Sequence, residues 1–425
     1  MTLYKNIKTN ILNLFIGFLF LIIGATSVQA ENAQYQSDST LIAYLKEAGL
    51  TTTNGNEVFI LKSGHEKFID LFEKIRNARH HIHLEYFNFR NDSIANCLFS
   101  ILEEKVKEGV QVRAIYDAFG NSSNNQPLKK KHIKALKERG IEIEEFDPIR
   151  FPWINHVFHR DHRKIVVIDG KIGYTGGMNI ADYYINGLPK IGEWRDMHIR
   201  IEGRAVENLQ AIFLDMWNRT TGEEISGDAY FPYKKDSTII SDGGKEIAIV
   251  DRYPRRNPKL MRRAYAKAIE SAENRVQIIN PYFTPTRIIK KAIKKAVKKG
   301  VKVEIMIPGK SDIPFTPDAA LYIANRLRKK GADIYIFNGG FHHSKIMMVD
   351  SLFCTVGSTN LNSRSLRYDY EVNAFIFDQQ TTGELIGIFK EDQANSTLLT
   401  SEIYKKRSPL KKFWGWFAHL FTPFL

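Results

Sequence analysis

Cysteine is almost missing from this chain, which has two thiols, Cys97 and Cys354, among 425 residues. No zinc-like spacing can be made from them, and the single disulfide they could form is not the expected state. Cys97 falls in a helical pattern and Cys354 in a strand pattern, so both read as small core residues. Negative charge is also scarce: 47 Asp and Glu face 61 Lys and Arg, leaving a formal net charge of +14. Such a balance favours anionic partners, either phospholipid surfaces or nucleic acid, and says nothing about fold. A full-length membrane span is missing too, because the apolar run Leu12 to Ala25 is short for one. Lys5 and Lys8 precede the run, and Val28-Gln29-Ala30 follows it as a small-residue cleavage site. Residues 1–30 therefore read as a secretory signal peptide, with an uncleaved anchor as the competing reading. Either way the remainder is expected outside the cytoplasm: in a bacterial periplasm, membrane-associated on the far side, or secreted.

Hydrophobic residues are not scarce. At 43%, beside 25% charged, they exclude a disordered chain, and the length allows two domains with separate cores. The helix pattern of Phe68 to Ala78, with Phe68, Ile69, Phe72 and Ile75 at helical spacing, leads into an alternating strand from His80 to Phe87. Period-two placement of His81 and His83 there suits a half-exposed strand better than a metal site. Helix Ile94 to Glu108, strand Val110 to Tyr116, helix Lys129 to Arg139 and strand Ile141 to Phe146 follow. Alternating strands and helices with short links predict a largely parallel sheet covered on both faces. Next comes His162-Arg163-Lys164-Ile165-Val166-Val167-Ile168-Asp169, a buried strand closed by the turn dipeptide Asp169-Gly170.

The pattern then starts again. Helix Leu260 to Ala272, strand Arg275 to Asn280, helix Ile288 to Lys299 and strand Val301 to Ile307 lead, through a further helix and the strand Asp333 to Phe337, to a second motif. That motif is His343-Ser344-Lys345-Ile346-Met347-Met348-Val349-Asp350. Helix-closing glycines are spaced alike in both halves, since 140 − 109 = 31 and 331 − 300 = 31. Inside the motifs Lys follows His by two, Asp by seven and Asn by seventeen, ending at Asn179 and Asn360. Duplication at four polar positions leaves little room for chance. The halves are placed at 59–220 and 246–400, after a linker and short helix over 31–58. A connection over 221–245 is rich in Gly and Pro, and a tail spans 401–425.

Two His-Lys-Asn sets from similar units suggest one shared site at a pseudo-twofold interface. Splitting a phosphodiester needs a nucleophile for phosphorus, an acid for the departing alkoxide and cations for the non-bridging oxygens. One histidine can become a phosphohistidine while the other gives and later takes the proton. Lys164, Lys345, Asn179, Asn360 and Ser358 are the phosphate-binding candidates, and with so many donors neither metal nor cofactor is expected. Each histidine also needs a carboxylate to fix its tautomer. Asp196 and Glu371 follow the two motifs at similar places. The motif aspartates Asp169 and Asp350 complete the catalytic set, although a place at the turn end of a strand suits structural support better than reaction.

The doubled His-x-Lys-x4-Asp pattern, with Gly357-Ser358-Thr359-Asn360 after the second copy, resembles the phospholipase D superfamily and more narrowly bacterial cardiolipin synthase. His83 to Phe87, His162 to Tyr184, Trp194-Arg195-Asp196, Asn280 to Phe283, Ile305 to Lys310 and His343 to Asn373 carry the likeness, which covers Phe59 to Phe377. The resemblance implies an α/β fold of two α/β/α sandwich halves with mixed, largely parallel sheets around one active site. It also implies metal-independent transfer through phosphohistidine. In related enzymes the orienting carboxylate comes from the opposite half, so Glu371 would hold His162 and Asp196 would hold His343, with His162 as nucleophile. Two departures stand out. The longer cardiolipin synthases begin with two membrane spans, and here Gly177 stands where the second copy has Ser358. Three readings follow: phosphatidyl transfer to a glycerol hydroxyl of phosphatidylglycerol, hydrolysis by an exported phospholipase D with water as acceptor, or nucleic-acid cleavage. The last fits the charge but not the signal pattern or the tail. In that tail Lys405-Lys406-Arg407 and Lys411-Lys412 precede Phe413-Trp414-Gly415-Trp416-Phe417, an order suited to the headgroup boundary of an anionic membrane, the expected partner.

Overall fold

The computed structural model describes residues 40–122, 125–150, 158–235, 243–313 and 316–423. The signal-peptide reading and its cleavage site lie outside them. The first half contributes β1 (Thr53–Leu61), β2 (His81–Tyr86), β3 (Gln111–Asp117), β4 (Glu142–Phe146), β5 (Lys164–Ile168), β6 (Ile172–Gly176), β7 (Glu193–Arg195) and β8 (His198–Glu202). The second contributes β9 (Lys245–Arg252), β10 (Arg275–Ile279), β11 (Lys302–Pro308), β12 (Asp333–Phe337), β13 (Gly340–His342), β14 (Ile346–Val349), β15 (Phe353–Gly357), β16 (Glu371–Phe377) and β17 (Ser396–Leu398).

Fifteen of these strands form one sheet in the order β17-β12-β11-β10-β14-β15-β16-β9-β1-β8-β6-β5-β2-β3-β4. Read outward from the β9–β1 seam, the two sides match strand for strand, with β17 added at one edge. The two similar halves are thus joined as two wings of a continuous sheet. The sheet is mixed. Among the described strands, parallel ladders are β2-β3-β4 and β10-β11-β12, plus the small β13–β7 pair. Helical crossovers join the strands within each of those triplets, and a parallel pair requires such a crossover. The expected largely parallel character stops there, because each motif strand turns back in a hairpin, β5–β6 and β14–β15, and the seam strands also pair antiparallel.

Local chemistry explains these elements. Asp169 and Asp350 hold φ of 53° and 52° at the hairpin turns. Each carboxylate caps the start of a neighbouring strand, Asp169 accepting from the N–H groups of Arg79, His80 and His81 and Asp350 from those of Glu273, Asn274 and Arg275. These bonds offset the cost of a left-handed non-glycine residue. Gly109, Gly140, Gly300 and Gly331 all have positive φ where helices stop, which is the reason for their even spacing.

Three sequence expectations change. Cys97 is exposed, because it faces away from the buried Ala95, Leu98 and Phe99 of its helix, while Cys354 is buried and both are free thiols. His81 and His83 are fully buried rather than half exposed, covered by the helix Ala205–Thr221, whose Gln210 bonds both rings and whose Phe213 stacks on His83. Ile69 is exposed, and Lys67 takes the buried place beside Phe68. The short helix of the linker donates Leu41 and Leu45 to the core of the second wing. Among the described residues no helix is long and apolar enough to cross a membrane.

Candidate active site

Each motif histidine stands just before its strand and is pinned by backbone pairing to the opposite wing. The His162 N–H donates to the Tyr370 carbonyl at 3.1 Å, and Tyr370 N–H returns a bond to Arg160. In the other copy the His343 N–H donates to the Arg195 carbonyl at 2.6 Å, where β13 runs along β7. Each of those carbonyls belongs to the residue directly before a carboxylate. Glu371 and Asp196 are thereby set against the rings: His162 Nδ1 lies 3.1 Å from Glu371 Oε1, and His343 Nδ1 lies 2.6 Å from Asp196 Oδ2. The carboxylates cross between wings. With Nδ1 carrying the proton toward a carboxylate, Nε2 is the nucleophilic or proton-accepting nitrogen of each ring.

Both histidines line one cavity of about 610 Å³, together with Asn179, Asn360, Phe87, Trp194 and Tyr282 among others. Aromatic rings fix the imidazoles laterally, Phe87 edge-on to His162 at 5.1 Å between centroids and Trp194 at 5.4 Å from His343. The side-chain oxygens of Asn179 and Asn360 have no partner among the described residues, while the Asn179 amide N–H donates to the Tyr184 hydroxyl at 3.4 Å. Lys164 and Lys345 are fully buried close to both rings, and each ammonium donates to the carbonyl of its own motif histidine, at 2.6 and 2.5 Å.

Ser358, expected on the phosphate, is instead placed behind the histidine. Its hydroxyl donates to the Glu371 carboxylate and accepts from the Val372 N–H. At the equivalent point of the first wing a Cβ on Gly177 would collide with the Asp196 carboxylate. The Gly/Ser difference thus concerns how each carboxylate is seated, not how a phosphate is cradled. Asp169 and Asp350 sit at the far end of their strands and do not reach the cavity, so their part is the capping described above.

Burial decides the electrostatics. It holds both histidines well below the usual imidazole range, and the two lysines push them down further. Burial lifts Glu371 to about 7 and Asp196 to about 6, and it lowers Lys164 to about 8 and Lys345 to about 7. The carboxylates must be ionised to hold the Nδ1 protons, and the lysines must be protonated to meet an anion. Turnover should therefore rise as pH climbs through the carboxylate values and fall as it passes the lysine values, giving a narrow bell in kcat/KM centred near neutrality. Rates on a water-soluble diester across that range check this, and a flat profile would overturn the assignment.

Sequence reasoning missed the supports. Lys67 is wholly buried and donates to the carbonyls of Met178 and Asn179 at 3.1 and 3.0 Å, fixing the backbone that carries the Asn179 amide. Its only signal was a lysine on the apolar face of a helix. Arg163, between the motif His and Lys, is 2% exposed and bridges Glu85 to Asp251 of the opposite wing. Arg160 ties the same segment to Asp117 at 3.0 Å.

A family profile described as "Cardiolipin synthase, PLD-like domain" matches residues 71–217 and 265–393. Cardiolipin synthase 2 of Staphylococcus epidermidis is 38% identical over 388 residues, spanning 91% of this chain and 77% of that protein. Cardiolipin synthase of Listeria monocytogenes serotype 4a is 38% identical over 380 residues, spanning 89% and 77%. Among solved structures, phosphatidylserine synthase of Haemophilus influenzae shares the fold at TM-score 0.66 and 15% identity, covering 87% of this chain and 95% of that one.

Proposed function

Because the chain belongs to the cardiolipin synthase family of phospholipase D-like proteins, we propose that His162 carries a phosphatidyl group between two phosphatidylglycerol molecules. The chain is a phospholipase D-type phosphatidyltransferase, similar over most of its length to cardiolipin synthases. In the first step His162 Nε2 forms a bond to phosphorus, the bond to the headgroup glycerol oxygen breaks, and His343 gives that oxygen a proton. In the second, His343 takes a proton from the glycerol hydroxyl of another phosphatidylglycerol. The oxygen attacks phosphorus and the P–N bond breaks, yielding cardiolipin plus free glycerol. Lys164 and Lys345 offset the charge on the non-bridging oxygens, assisted by the Asn179 and Asn360 amides. An anionic phosphodiester also opposes the two lysine charges that depress His343, so substrate binding favours the protonated acid it needs.

The observation that carries the reading is the pair of crossed carboxylates, which orient two imidazoles from different wings into one cavity. Phe87, Phe119, Leu188 and Trp194 on the wall suit an acylated glycerol next to the phosphate. The basic and apolar pattern before Ala30 supports an extracytoplasmic, membrane-associated setting. Incubation with phosphatidylglycerol vesicles, with products resolved by mass spectrometry, tests the function. Cardiolipin and glycerol in equal amounts are expected. Phosphatidic acid alone would replace transfer by hydrolysis, and an unchanged lipid would overturn both.

A further inference from the structure

The C-terminal helix Pro409–Leu420 is packed the wrong way round for a helix that meets only water. An amphipathic surface helix normally turns its large apolar side chains to the core. Here the small residues Gly415, Ala418 and Thr422 face the protein, while Phe413, Trp414, Trp416, Phe417, Leu420 and Phe421 stand 37% to 51% exposed. They form a continuous aromatic surface, with Phe413 stacked on Phe417 and Phe417 against Phe421. The seat itself is specific. A Cβ on Gly415 would meet the Asp318 carbonyl, Arg407 is ion-paired with Asp318, and the His419 ring lies 4.6 Å from Tyr322.

What the helix sits on matters. Asp318 and Tyr322 belong to the helix Thr316–Arg328, and Thr316 and Ala319 of that same helix line the catalytic cavity. At its other end the tail reaches Tyr368, whose hydroxyl donates to the Pro423 carbonyl, next to Asp369 of the cavity wall. Exposed Ile313 precedes the supporting helix at the cavity rim. The surroundings are cationic. Lys405, Lys406 and Lys411 are exposed beside the aromatic surface. Arg326 lies over Tyr322. Burial holds Lys290 below the usual lysine range, and the neighbouring charges of Arg326, Lys294 and Arg367 push it down further.

We propose that the helix Pro409–Leu420 docks on an anionic bilayer with its aromatic face among the headgroups, and that its seat on Thr316–Arg328 holds the cavity mouth at the membrane surface. Exposed aromatics flanked by lysines match the two attractions an interfacial helix uses, apolar burial and charge. The inference takes its lipid from the phosphatidyltransferase reading, but docking can be read without turnover.

Trp414 and Trp416 are the reporters, and replacing them separates their signal from that of Trp194 and Trp217, which are buried, and of Trp153, which lies outside the described residues. The full chain is mixed with vesicles of phosphatidylglycerol and phosphatidylcholine, or phosphatidylcholine alone, that contain a bromine-labelled acyl chain. Tryptophan emission should be quenched on the anionic vesicles, and a Trp414→Phe/Trp416→Phe chain should lose that quenching. A Phe413→Ser/Phe417→Ser/Phe421→Ser chain should convert vesicular phosphatidylglycerol about tenfold or more slowly, yet convert a short-chain, monomeric phosphatidylglycerol within about twofold of the parent. Absence of quenching in the parent chain overturns the docking. So does self-association that the serine substitutions abolish, because the aromatic face would then belong to a second copy. Failure of the parent on both substrates would fall on the transfer reading alone, while quenching still decides the docking.

Discussion

His162→Asn and His343→Asn should each slow transfer from phosphatidylglycerol by about four orders of magnitude, yet diverge on a diester that releases p-nitrophenolate. With a natural substrate both steps need a nucleophile on phosphorus and a proton for glycerol oxygen, so loss of either ring stops the cycle. The nitrophenolate ion leaves without a proton. His343→Asn should therefore still give a burst of one nitrophenolate per chain and trap the phosphohistidine, because His162 and its Glu371 partner are untouched. His162→Asn should give no burst. A burst from His162→Asn instead would exchange the two roles, and full activity of either variant on phosphatidylglycerol would sink the shared site. His162 is the more open of the two rings, 15% against 7% exposed, which suits the one that must meet phosphorus directly.

The second large effect lies one bond further back. Glu371→Gln keeps the shape of a fully buried side chain but turns an acceptor into a group that donates. Facing an amide N–H, the His162 ring accepts at Nδ1 and carries its proton on Nε2, the nitrogen that must attack. A loss of about three to four orders of magnitude in kcat is expected, by the same tautomer logic that governs other carboxylate–histidine pairs. Asp196→Asn should act alike through His343. The two variants carry a further signature. Glu371 raises Lys164 against the depression caused by its burial. Removing that charge lets Lys164 fall further, so the basic limb of the residual activity should move to lower pH, while the acid limb due to Glu371 vanishes. Thermal unfolding of the variants checks that they are folded. Glu371→Gln activity within tenfold of the parent would mean the carboxylate is a structural partner only.

The motif strands, the helix-closing glycines and the duplicated polar set were legible because each is a local pattern or a fixed spacing. Asp169 could be read as a support from its place at a turn, and the three backbone bonds it accepts show why. The crossed carboxylates came from likeness to a family and not from periodicity. His162 and Glu371 are 209 residues apart, and nothing local records which residue of a distant strand faces which ring. The mixed character of the sheet was legible, but where its direction changes was not, for a similar reason. A run such as Ile165 to Ile168 is equally apolar whether its neighbour runs with it or against it, and the hairpin turn decides. Lys67 and Arg163 were overlooked because a charged residue in an apolar stretch has no visible partner until Asn179, Glu85 and Asp251 are brought beside it.

The β1–β9 seam joins two half-centres that would otherwise have to find each other by diffusion. Separate subunits bearing one histidine each would assemble catalytic centres in proportion to the square of their concentration. Here each carboxylate meets its histidine at the effective concentration of an intramolecular contact, on the order of millimolar or more. Pairing of the two half-centres is thereby unaffected by dilution. A chain carrying one dead histidine has lost its own centre, because both halves of that centre come from the same polypeptide.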